Sequence, residues 1–257
     1  MSSKIIPKTT TEIELMRKSG KILADVLEHL IQIAKPGVTT LELDQIAEKL
    51  ITDAGATPTF KGYRGYQFTL CTSVNDEIVH TFPSNYTLKD NDVLTIDCGV
   101  CYQGYNTDSA STIVIGKGTP KHINFVEEIR GILYGAIKLV KPGVRIGDIS
   151  NYIETETNKY GYFVFRDLIG HGIGKQLHEP PEVPNYGKAG SGPVLIPGVT
   201  FCIEPIIGIS TRIMEVMPDG WCIKSKDGGI ACQQEHTILV TDTGYEILTL
   251  RSDETVY

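Results

Sequence analysis

The sequence predicts a mixed α/β (α+β) fold in which one structural unit occurs twice. In each half of the 257-residue chain, amphipathic helical patterns are accompanied by β patterns. A helix ends in both halves at the same four residues, Lys-Pro-Gly-Val, at positions 35–38 and 141–144, which lie 106 positions apart. The β patterns that end at Asp97 and Glu204 are also alike, and these carboxylates lie 107 positions apart. The nearly equal offsets predict pseudo-repeats of about residues 11–118 and 119–250 in one domain, 1–257, with an N-terminal arm at 1–10.

The composition is that of an ordinary globular protein. Hydrophobic residues make up 41% of the chain and charged residues 21%, which excludes disordered and collagen-like proteins. The net charge of −7 argues against a protein that coats nucleic acid, because such proteins present a basic surface. No stretch approaches the roughly 18 apolar residues of a membrane span, and residues 1–20 lack the apolar core of a secretory signal. We therefore expect a cytoplasmic protein without membrane contact.

The six cysteines are expected to be free thiols, most of them buried. A disulfide framework is typical of short secreted chains, and this chain is long and without an export signal. Cys98 and Cys101 form a CxxC pair, but a structural zinc site needs a second pair, and the sequence has none. A disulfide-bonded or zinc-structural protein is therefore the weaker interpretation.

Two helical patterns begin the first half. Thr11, three residues before Glu14, is typical of a capping box at a helix start, and apolar residues then recur at helical spacing up to position 33. Thr39 with Glu42 predicts a second capped helix, which we expect to end at Gly55.

The second half repeats this order. Apolar residues from Ile123 to Val140 recur at helical spacing and stop at the second Lys-Pro-Gly-Val, and a further helical stretch ends at Gly161. The β patterns at residues 199–204 and 238–240 follow. Helices and strands therefore occur in both halves, as a duplicated unit requires.

Two aspartates lie where β patterns rarely carry a charge. Asp97 ends the apolar run Val93–Ile96, and Asp108 precedes a β pattern at residues 111–115. A hairpin that turns between Tyr102 and Gln103 would place residues 97 and 108 directly opposite each other, with Cβ atoms roughly 4.5–5.5 Å apart. Carboxylates that close repel each other unless a proton or a metal lies between them. A single aspartate is explained by a turn or a cap, but the pair favours a shared ligand.

Histidines and two glutamates complete the candidate set. His171 and His178 lie in the segment Gly170–His178, whose glycines predict backbone that passes close to a site. Their spacing is not that of a HExxH zinc helix, and the segment lacks a GxGxxG phosphate loop. Glu204 and Glu235 lie at the margins of β patterns. Each of these residues alone is better explained as a structural residue, but four acids with an imidazole indicate a metal site.

Four carboxylates and one imidazole suit divalent ions of intermediate hardness, such as Mn, Fe, Co or Zn. One dication cannot balance four negative charges, whereas two dications bridged by carboxylates do so formally. A two-metal site can share a hydroxide and lower its pKa towards neutrality. The set therefore indicates a hydrolase with two divalent metal ions per chain.

With these residues in place, the sequence resembles the type I methionine aminopeptidase family in its short bacterial form. The resemblance covers nearly the whole chain, and the order and spacing of its motifs are specific. The matching segments are Ser73–Glu77 with His80, Thr95–Asp97, Asp108, Gly170–Gly174 with His178, Phe201–Pro205 and Glu235–Thr237. The resemblance implies a pita-bread fold, a pseudo-two-fold duplicated unit with a curved antiparallel sheet covered by helices on its outer face.

The resemblance also implies a role for each site residue. The metal ligands would be Asp97, Asp108, His171, Glu204 and Glu235, and Asp108 and Glu235 would bridge the two ions. Glu204 would also act as general base towards a metal-activated water. His178 would hydrogen-bond the scissile carbonyl or its oxyanion, and His80 would lie by the peptide nitrogen, assisting the leaving group or holding the second residue.

The resemblance implies a methionine pocket at four further residues. The sequence also departs from the family pattern at five positions. Tyr63, Tyr66, Cys71 and Trp221 match family pocket positions, and a narrow apolar slot suits the unbranched, polarizable thioether. Core packing is the alternative explanation of the aromatic residues, and we favour the pocket for Trp221. The departures are Phe60, Thr81, Leu168, Leu177 and Gln234. None of them is an implied ligand, so we expect them to affect pocket shape and the tolerance for the second residue.

The function we expect is hydrolytic removal of the initiator methionine from nascent proteins and peptides when the second residue is small. The partners would be nascent polypeptide N-termini, with the ribosome as a further candidate, and the protein would act as a cytoplasmic monomer. One alternative is a proline-specific aminopeptidase or prolidase on the same fold. Another is a non-catalytic pita-bread protein that binds a partner, which the complete ligand set disfavours.

Overall fold

Residues 5–252 and 254, which the computed structural model describes, form four α-helices and fifteen β-strands. The helices are α1 (Thr10–Ile33), α2 (Thr40–Asp53), α3 (Pro120–Ile137) and α4 (Ile146–Lys159). The strands of the first half are β1 (Thr57–Pro58), β2 (Leu70–Val74), β3 (Glu77–Val79), β4 (Val93–Tyr102) and β5 (Tyr105–Val114). Those of the second half are β6 (Phe163–Val164), β7 (Gly170–Gly172), β8 (Glu179–Val183), β9 (Thr200–Ile203), β10 (Ile206–Gly208), β11 (Met214–Val216), β12 (Ile223–Ser225), β13 (Ala231–Gln233), β14 (His236–Val240) and β15 (Tyr245–Ile247). The expected N-terminal arm lies partly outside the described residues, because residues 1–4 are not among them.

The helices begin at polar caps, but α1 begins earlier than the sequence predicts. Thr9 is its cap: the Thr9 side chain accepts from the backbone N–H of Glu12, and the Glu12 carboxylate accepts the N–H of Thr9. The predicted box of Thr11 with Glu14 is therefore wrong, because Thr9 and Glu12 form the same motif two residues upstream. The predicted cap of α2, Thr39 with Glu42, is confirmed.

The strands are antiparallel throughout the described sheets. β4 pairs with β5 on one side and with β1 and β2 on the other, and a five-stranded sheet has the order β15-β14-β9-β7-β8. Two three-stranded sheets, β13-β10-β6 and β11-β12-β3, complete the arrangement. The predicted mixed α/β class with antiparallel strands is confirmed.

The long hairpin of β4 and β5 has a different register from the predicted one. Tyr102 pairs with Tyr105, so the turn consists of Gln103 and Gly104, both with positive φ, as two-residue hairpin turns require. Asp108 pairs with Gly99 rather than with Asp97, and the prediction that the two aspartates are directly opposite is wrong. They are diagonal neighbours, and because side chains alternate with period two they still share one face.

Alternation along the strands separates a core from the opposite face. In β4, Leu94, Ile96, Cys98 and Val100 pack into a buried cluster with α1 and α2. In β9, Phe201 and Ile203 belong to the buried cluster that contains α3 and α4. Asp97 alternates with these β4 residues and lies on the opposite face of the strand, which is the face on which the site lies.

Two further findings concern the chain as a whole. All six cysteines are free, and five of them are buried, as expected. Among the described residues no helix has both the length and the apolar character that crossing a bilayer demands.

Candidate active site

A cavity of about 290 Å³ is lined by every residue that the sequence analysis proposed as catalytic, substrate-binding or metal-ligating. The predicted residues that line it are Tyr63, Tyr66, Cys71, His80, Asp97, Asp108, His171, His178, Glu204, Trp221 and Glu235. They come from both halves of the chain, so the cavity exists only where the two halves meet.

Hydrogen bonds between β5 and the second half bring the acidic residues together. Thr237 joins β14 to β5, because its hydroxyl donates to the carbonyl of Asp108 and accepts the N–H of the same residue, at 2.8 and 2.9 Å. The backbone N–H of Glu235 donates to the carbonyl of Ala110 at 2.9 Å. One carboxylate oxygen from each of Asp97, Asp108 and Glu235 consequently lies within 4.8 Å of the others.

The second group of polar side chains centres on His171. Its Nδ1–H donates to the carbonyl of Gly172 at 2.9 Å, which leaves Nε2 with a free lone pair. That Nε2 lies 3.7 Å from Glu204 Oε1. One donor atom from each of His171, Cys202 and Glu235 also lies within 4.8 Å of the others. Glu235 therefore belongs to both groups, and the two groups are adjacent.

The carboxylates are buried, and three of them keep one oxygen that the protein does not hydrogen-bond. Asp97 Oδ1, Asp108 Oδ1 and Glu235 Oε1 are buried and have no hydrogen-bond partner. Burial raises the pKa of Asp97 to about 7, although hydrogen bonds from Asp108 and from the Cys98 backbone act in the opposite direction. For Asp108, Glu204 and Glu235, burial and then repulsion between carboxylates raise the pKa well above its ordinary value.

This donor set fits divalent cations. Buried polar atoms are normally hydrogen-bonded, so three unpartnered carboxylate oxygens converging on one space indicate that something else binds them. A cation relieves the repulsion that otherwise raises the pKa values. Oxygen and imidazole donors together suit ions such as Mn, Fe, Co and Zn.

Two histidines stand at the mouth of the cavity. The Tyr63 hydroxyl is 2.8 Å from Nδ1 of His178, and the His178 ring lies edge-on to His171, with centroids 4.2 Å apart. His80 follows β3 with a φ of +60°, a left-handed conformation that costs energy for a residue with a Cβ. Strained backbone at an exposed polar residue is typical of functional positions.

An aromatic slot forms the inner end of the cavity. The Tyr66 ring meets Trp221 edge-on at 5.0 Å and lies 5.1 Å from Phe82. The Tyr66 hydroxyl donates to the carbonyl of Leu70 at 2.8 Å, which holds the ring in place. Phe60, also edge-on to Tyr66, lines the slot together with Cys71. The slot is apolar and its walls are fixed by ring contacts.

Three of the five departures from the family pattern line the cavity, and two do not. Phe60, Leu168 and Leu177 line the cavity, whereas Thr81 and Gln234 are not among its lining residues. Thr81 donates to Cys222 Sγ at 3.2 Å, and Gln234 donates to the carbonyl of Thr112 at 3.0 Å. Pocket shape is therefore affected directly by three of the five.

Gln233 is the site residue that the sequence reasoning missed. Its side-chain amide lies 3.5 Å from Glu204 Oε2 and 3.4 Å from Glu235 Oε2, so it donates towards both glutamates. A signal was present, since residues two apart in an extended segment share a face, and Gln233 lies two residues before Glu235. Arg64 and Asp167, also unforeseen, add opposite charges to the cavity lining.

The chain is similar to known proteins in both sequence and structure. Residues 14–242 match the model of metallopeptidase family M24. A methionine aminopeptidase of Clostridium perfringens is 42% identical over 246 residues, which are 96% of this chain and 99% of that protein. The crystal structure of methionine aminopeptidase from Thermotoga maritima superposes with a TM-score of 0.94 at 39% identity, covering 96% of this chain and 99% of that one.

A more distant solved structure bears on the proline-specific alternative. The prolidase from Pyrococcus furiosus superposes with a TM-score of 0.77 at 26% identity. The match covers 96% of this chain but only 66% of the prolidase chain. The similarity to the two methionine aminopeptidases is thus both closer and nearly complete over their lengths.

Proposed function

Because the chain belongs to metallopeptidase family M24 and has its pita-bread fold, we infer that it is a metal-dependent aminopeptidase that removes the N-terminal methionine from peptides and proteins. One observation carries the assignment of the site: three buried, unpartnered carboxylate oxygens converge beside an imidazole, next to an apolar aromatic slot. The first feature suits divalent cations and the second suits a methionine side chain.

Five residues would hold two divalent cations. Asp97, Asp108, His171, Glu204 and Glu235 supply the donor atoms, and Asp108 and Glu235 are the proposed bridging ligands. The position of Glu235 in both groups of close donor atoms supports its bridging role. When bound there, the cations would polarise the scissile carbonyl and lower the pKa of the attacking water.

Glu204 is the proposed general base. It accepts a proton from the attacking water and passes it to the amine that leaves. The amide of Gln233 lies 3.5 Å from one Glu204 oxygen and orients the carboxylate, while the other oxygen lies 3.7 Å from Nε2 of His171, a second proposed ligand. A positioned general base contributes roughly 10²–10⁴-fold to the rate.

His178 is the proposed hydrogen-bond donor to the oxyanion. If the Tyr63 hydroxyl donates to Nδ1, the ring carries its proton on Nε2, which is then available to donate to the carbonyl oxygen as negative charge develops. His80, on the same cavity, is proposed to contact the peptide nitrogen and the second residue.

Selectivity for methionine is attributed to the aromatic slot. Tyr66, Trp221 and Phe60 present ring edges and faces, which contact a thioether favourably. Cys71 and Tyr63 complete the proposed pocket. We propose that the shape of the same cavity also favours a small second residue.

The decisive experiment is release of methionine from Met-Gly-Met-Met and Met-Ala peptides by the purified chain. We expect activity that a chelator abolishes and that Mn, Co, Fe or Zn restores. An Xaa-Pro peptide is the control for the proline-specific alternative, and we expect it to remain intact. A preparation with full metal content that leaves the methionyl peptides uncut would overturn the assignment.

The cellular setting is a further part of the proposal. We propose that the protein acts as a cytoplasmic monomer on nascent chains, with the ribosome as its place of encounter. Sedimentation of the purified chain, alone and with ribosomes, tests both statements. A stable dimer would contradict the first, and absence from the ribosomal fraction the second.

A further inference from the structure

Cys202 is a buried sulfur that the proposed mechanism does not use. It lies in β9, and its side chain is fully inaccessible to solvent. Because alternation directs Phe201 and Ile203 into the helical core, Cys202 points to the same side as Glu204, two residues further on. The sulfur therefore lies on the face of β9 opposite the α3–α4 core, in the buried cluster that also contains Ile173 and Leu177.

The strand order explains why this sulfur meets the metal-binding side chains. β9 lies between β7, which carries His171, and β14, which Glu235 directly precedes. A residue on the middle strand is thus flanked by one residue from each neighbour. Sγ of Cys202, a ring nitrogen of His171 and a carboxylate oxygen of Glu235 all lie within 4.8 Å of one another.

A second observation shows that this group can take a ligand. Glu235 is only 2% exposed, and its Oε1 has no hydrogen-bond partner. The Cys202 sulfur lies 3.6 Å from the Thr237 hydroxyl and within 4.8 Å of a carboxylate oxygen of Glu235. An imidazole, a thiol and a carboxylate with one unpartnered oxygen therefore lie close together.

We propose that Cys202 is a sulfur donor to the cation on the His171 side of the centre, which gives that position a preference for thiophilic divalent ions. The inference rests on the proposed metal centre. Asp97, Asp108 and Glu235 form the oxygen-only group, whereas His171, Cys202 and Glu235 form a mixed group with a soft donor. Thiolate ligands select ions such as Zn²⁺ and Cd²⁺ over Mn²⁺.

Coordination of the thiol requires loss of its proton. The S–H bond breaks, a sulfur–metal bond forms, and the proton is released to the solvent as the cation binds. No oxidant or other reactant is involved. A cation held by the oxygen-only group, Asp97, Asp108 and Glu235, does not require a thiol to lose its proton.

The test compares Cd²⁺ and Mn²⁺ binding to the chelator-treated full chain. In the unaltered protein we expect Cd²⁺ to produce the ultraviolet charge-transfer absorption of a sulfur–cadmium bond. In Cys202→Ser and Cys202→Ala this absorption is lost, and the ratio of Cd²⁺ to Mn²⁺ affinity falls by about tenfold or more, the size typical of changes around a metal site.

Cys232→Ala is the matched control, because Cys232 is equally buried but packs in the core on the side of α3 and α4. It should retain both the absorption and the affinity ratio. The serine variant keeps the size of the Cys202 side chain, so a folding defect in the alanine variant does not remove the test.

The outcomes separate this inference from the proposed function. If the Mn²⁺-loaded chain releases methionine but Cd²⁺ gives no sulfur band, or if the Cys202 variants keep the band, the assignment of Cys202 is overturned and the enzyme stands. If neither ion binds the unaltered chain, the metal centre itself is wrong and the inference fails with it.

Discussion

At the scale of single residues, the proposed general-base role of Glu204 can be tested by one substitution. Glu204→Gln preserves the shape of the side chain and removes its ability to accept a proton. We expect kcat to fall by roughly 10²–10⁴-fold, and further if metal affinity also drops, while the thermal unfolding midpoint stays near that of the unaltered chain. A near-normal kcat in a folded, metal-loaded variant would contradict the general-base role.

Glu12 provides a prediction of pH dependence outside the metal centre. Its carboxylate accepts from the Thr9 backbone and from the Tyr105 hydroxyl, at 2.8 and 2.7 Å, and these bonds lower its pKa from 4.5 to about 2. A carboxyl with a lowered folded pKa stabilises the protein above its unfolded pKa and loses that contribution as the pH falls through the folded value.

Glu12→Gln should therefore be less stable than the unaltered chain at pH 7, by up to about 1 kcal/mol, the usual value of a helix cap. The difference should shrink as the pH falls from about 4.5 to about 2. Urea unfolding at several pH values measures it. A difference that does not vary with pH would show that charge is not the cause.

At the scale of elements, an ion pair links the start of β8, next to the segment between β7 and β8, to Lys8 of the N-terminal arm. Lys8 Nζ lies 2.7 Å from Glu179 Oε2, with side chains only 8% and 18% exposed, and the other Glu179 oxygen accepts the N–H of Gln176 at 2.9 Å. Asn106 holds the same segment through the carbonyl of Gly174 at 2.9 Å. Since this segment carries His178, we expect Lys8 to help position that proposed site residue.

Lys8→Met should destabilise the protein by about 2–3 kcal/mol, somewhat less than for a fully buried pair, because it leaves Glu179 without its partner. We expect kcat for methionine release to fall more than KM changes, since His178 is displaced and the methionine slot is not. The double variant Lys8→Met/Glu179→Gln should recover most of the stability. Equal stability of the single and double variants would show that the Lys8–Glu179 ion pair does not stabilise this contact.

The predicted duplication remains a proposal, and several elements support it. Gly37 and Gly143, the third residues of the two Lys-Pro-Gly-Val segments, both have positive φ, +98° and +91°. Thr39 and Arg145, which follow them, each form an isolated bridge, to Thr87 and to Val194, and each begins a helix. A left-handed residue, a bridge and a helix start thus recur in the same order in both halves.

At the scale of the whole molecule, we expect cation binding and folding to be coupled. The centre joins β4 and β5 of the first half to β9 and β14 of the second, and a cation that binds only the folded chain stabilises it by mass action. At a Mn²⁺ concentration of 100 times Kd, the gain is about 2.7 kcal/mol. For a domain of this size that corresponds to a rise of roughly 5–10 °C in the midpoint.

Thermal unfolding with chelator and with increasing Mn²⁺ measures this coupling. Asp108→Asn is the control, because it removes a proposed bridging carboxylate and should reduce the rise. A midpoint that Mn²⁺ does not change at any concentration would exclude a cation site that links the two halves.

Much of the candidate site was predictable, because the types and spacing of its residues are those of metal ligands. Asp97, Asp108, His171, Glu204 and Glu235 could be selected as a set, and the cavity contains all of them. The hairpin register was predicted wrongly, by two residues, yet the two aspartates still share a face because side chains alternate with period two. An error of one residue would have placed them on opposite faces.

By itself, the sequence determined the helices and their stops, the mixed fold class, the family and the identity of the candidate ligands, because each of these depends on local periodicity or on motif spacing. Only the tertiary structure decided that Thr9 caps α1, that Gln233 lies between Glu204 and Glu235, and that Cys202 lies between His171 and Glu235. These facts depend on which of two competing caps forms and on strand register across distant segments. Register follows from how whole strands bury their apolar faces against the helices, which no short segment of sequence contains.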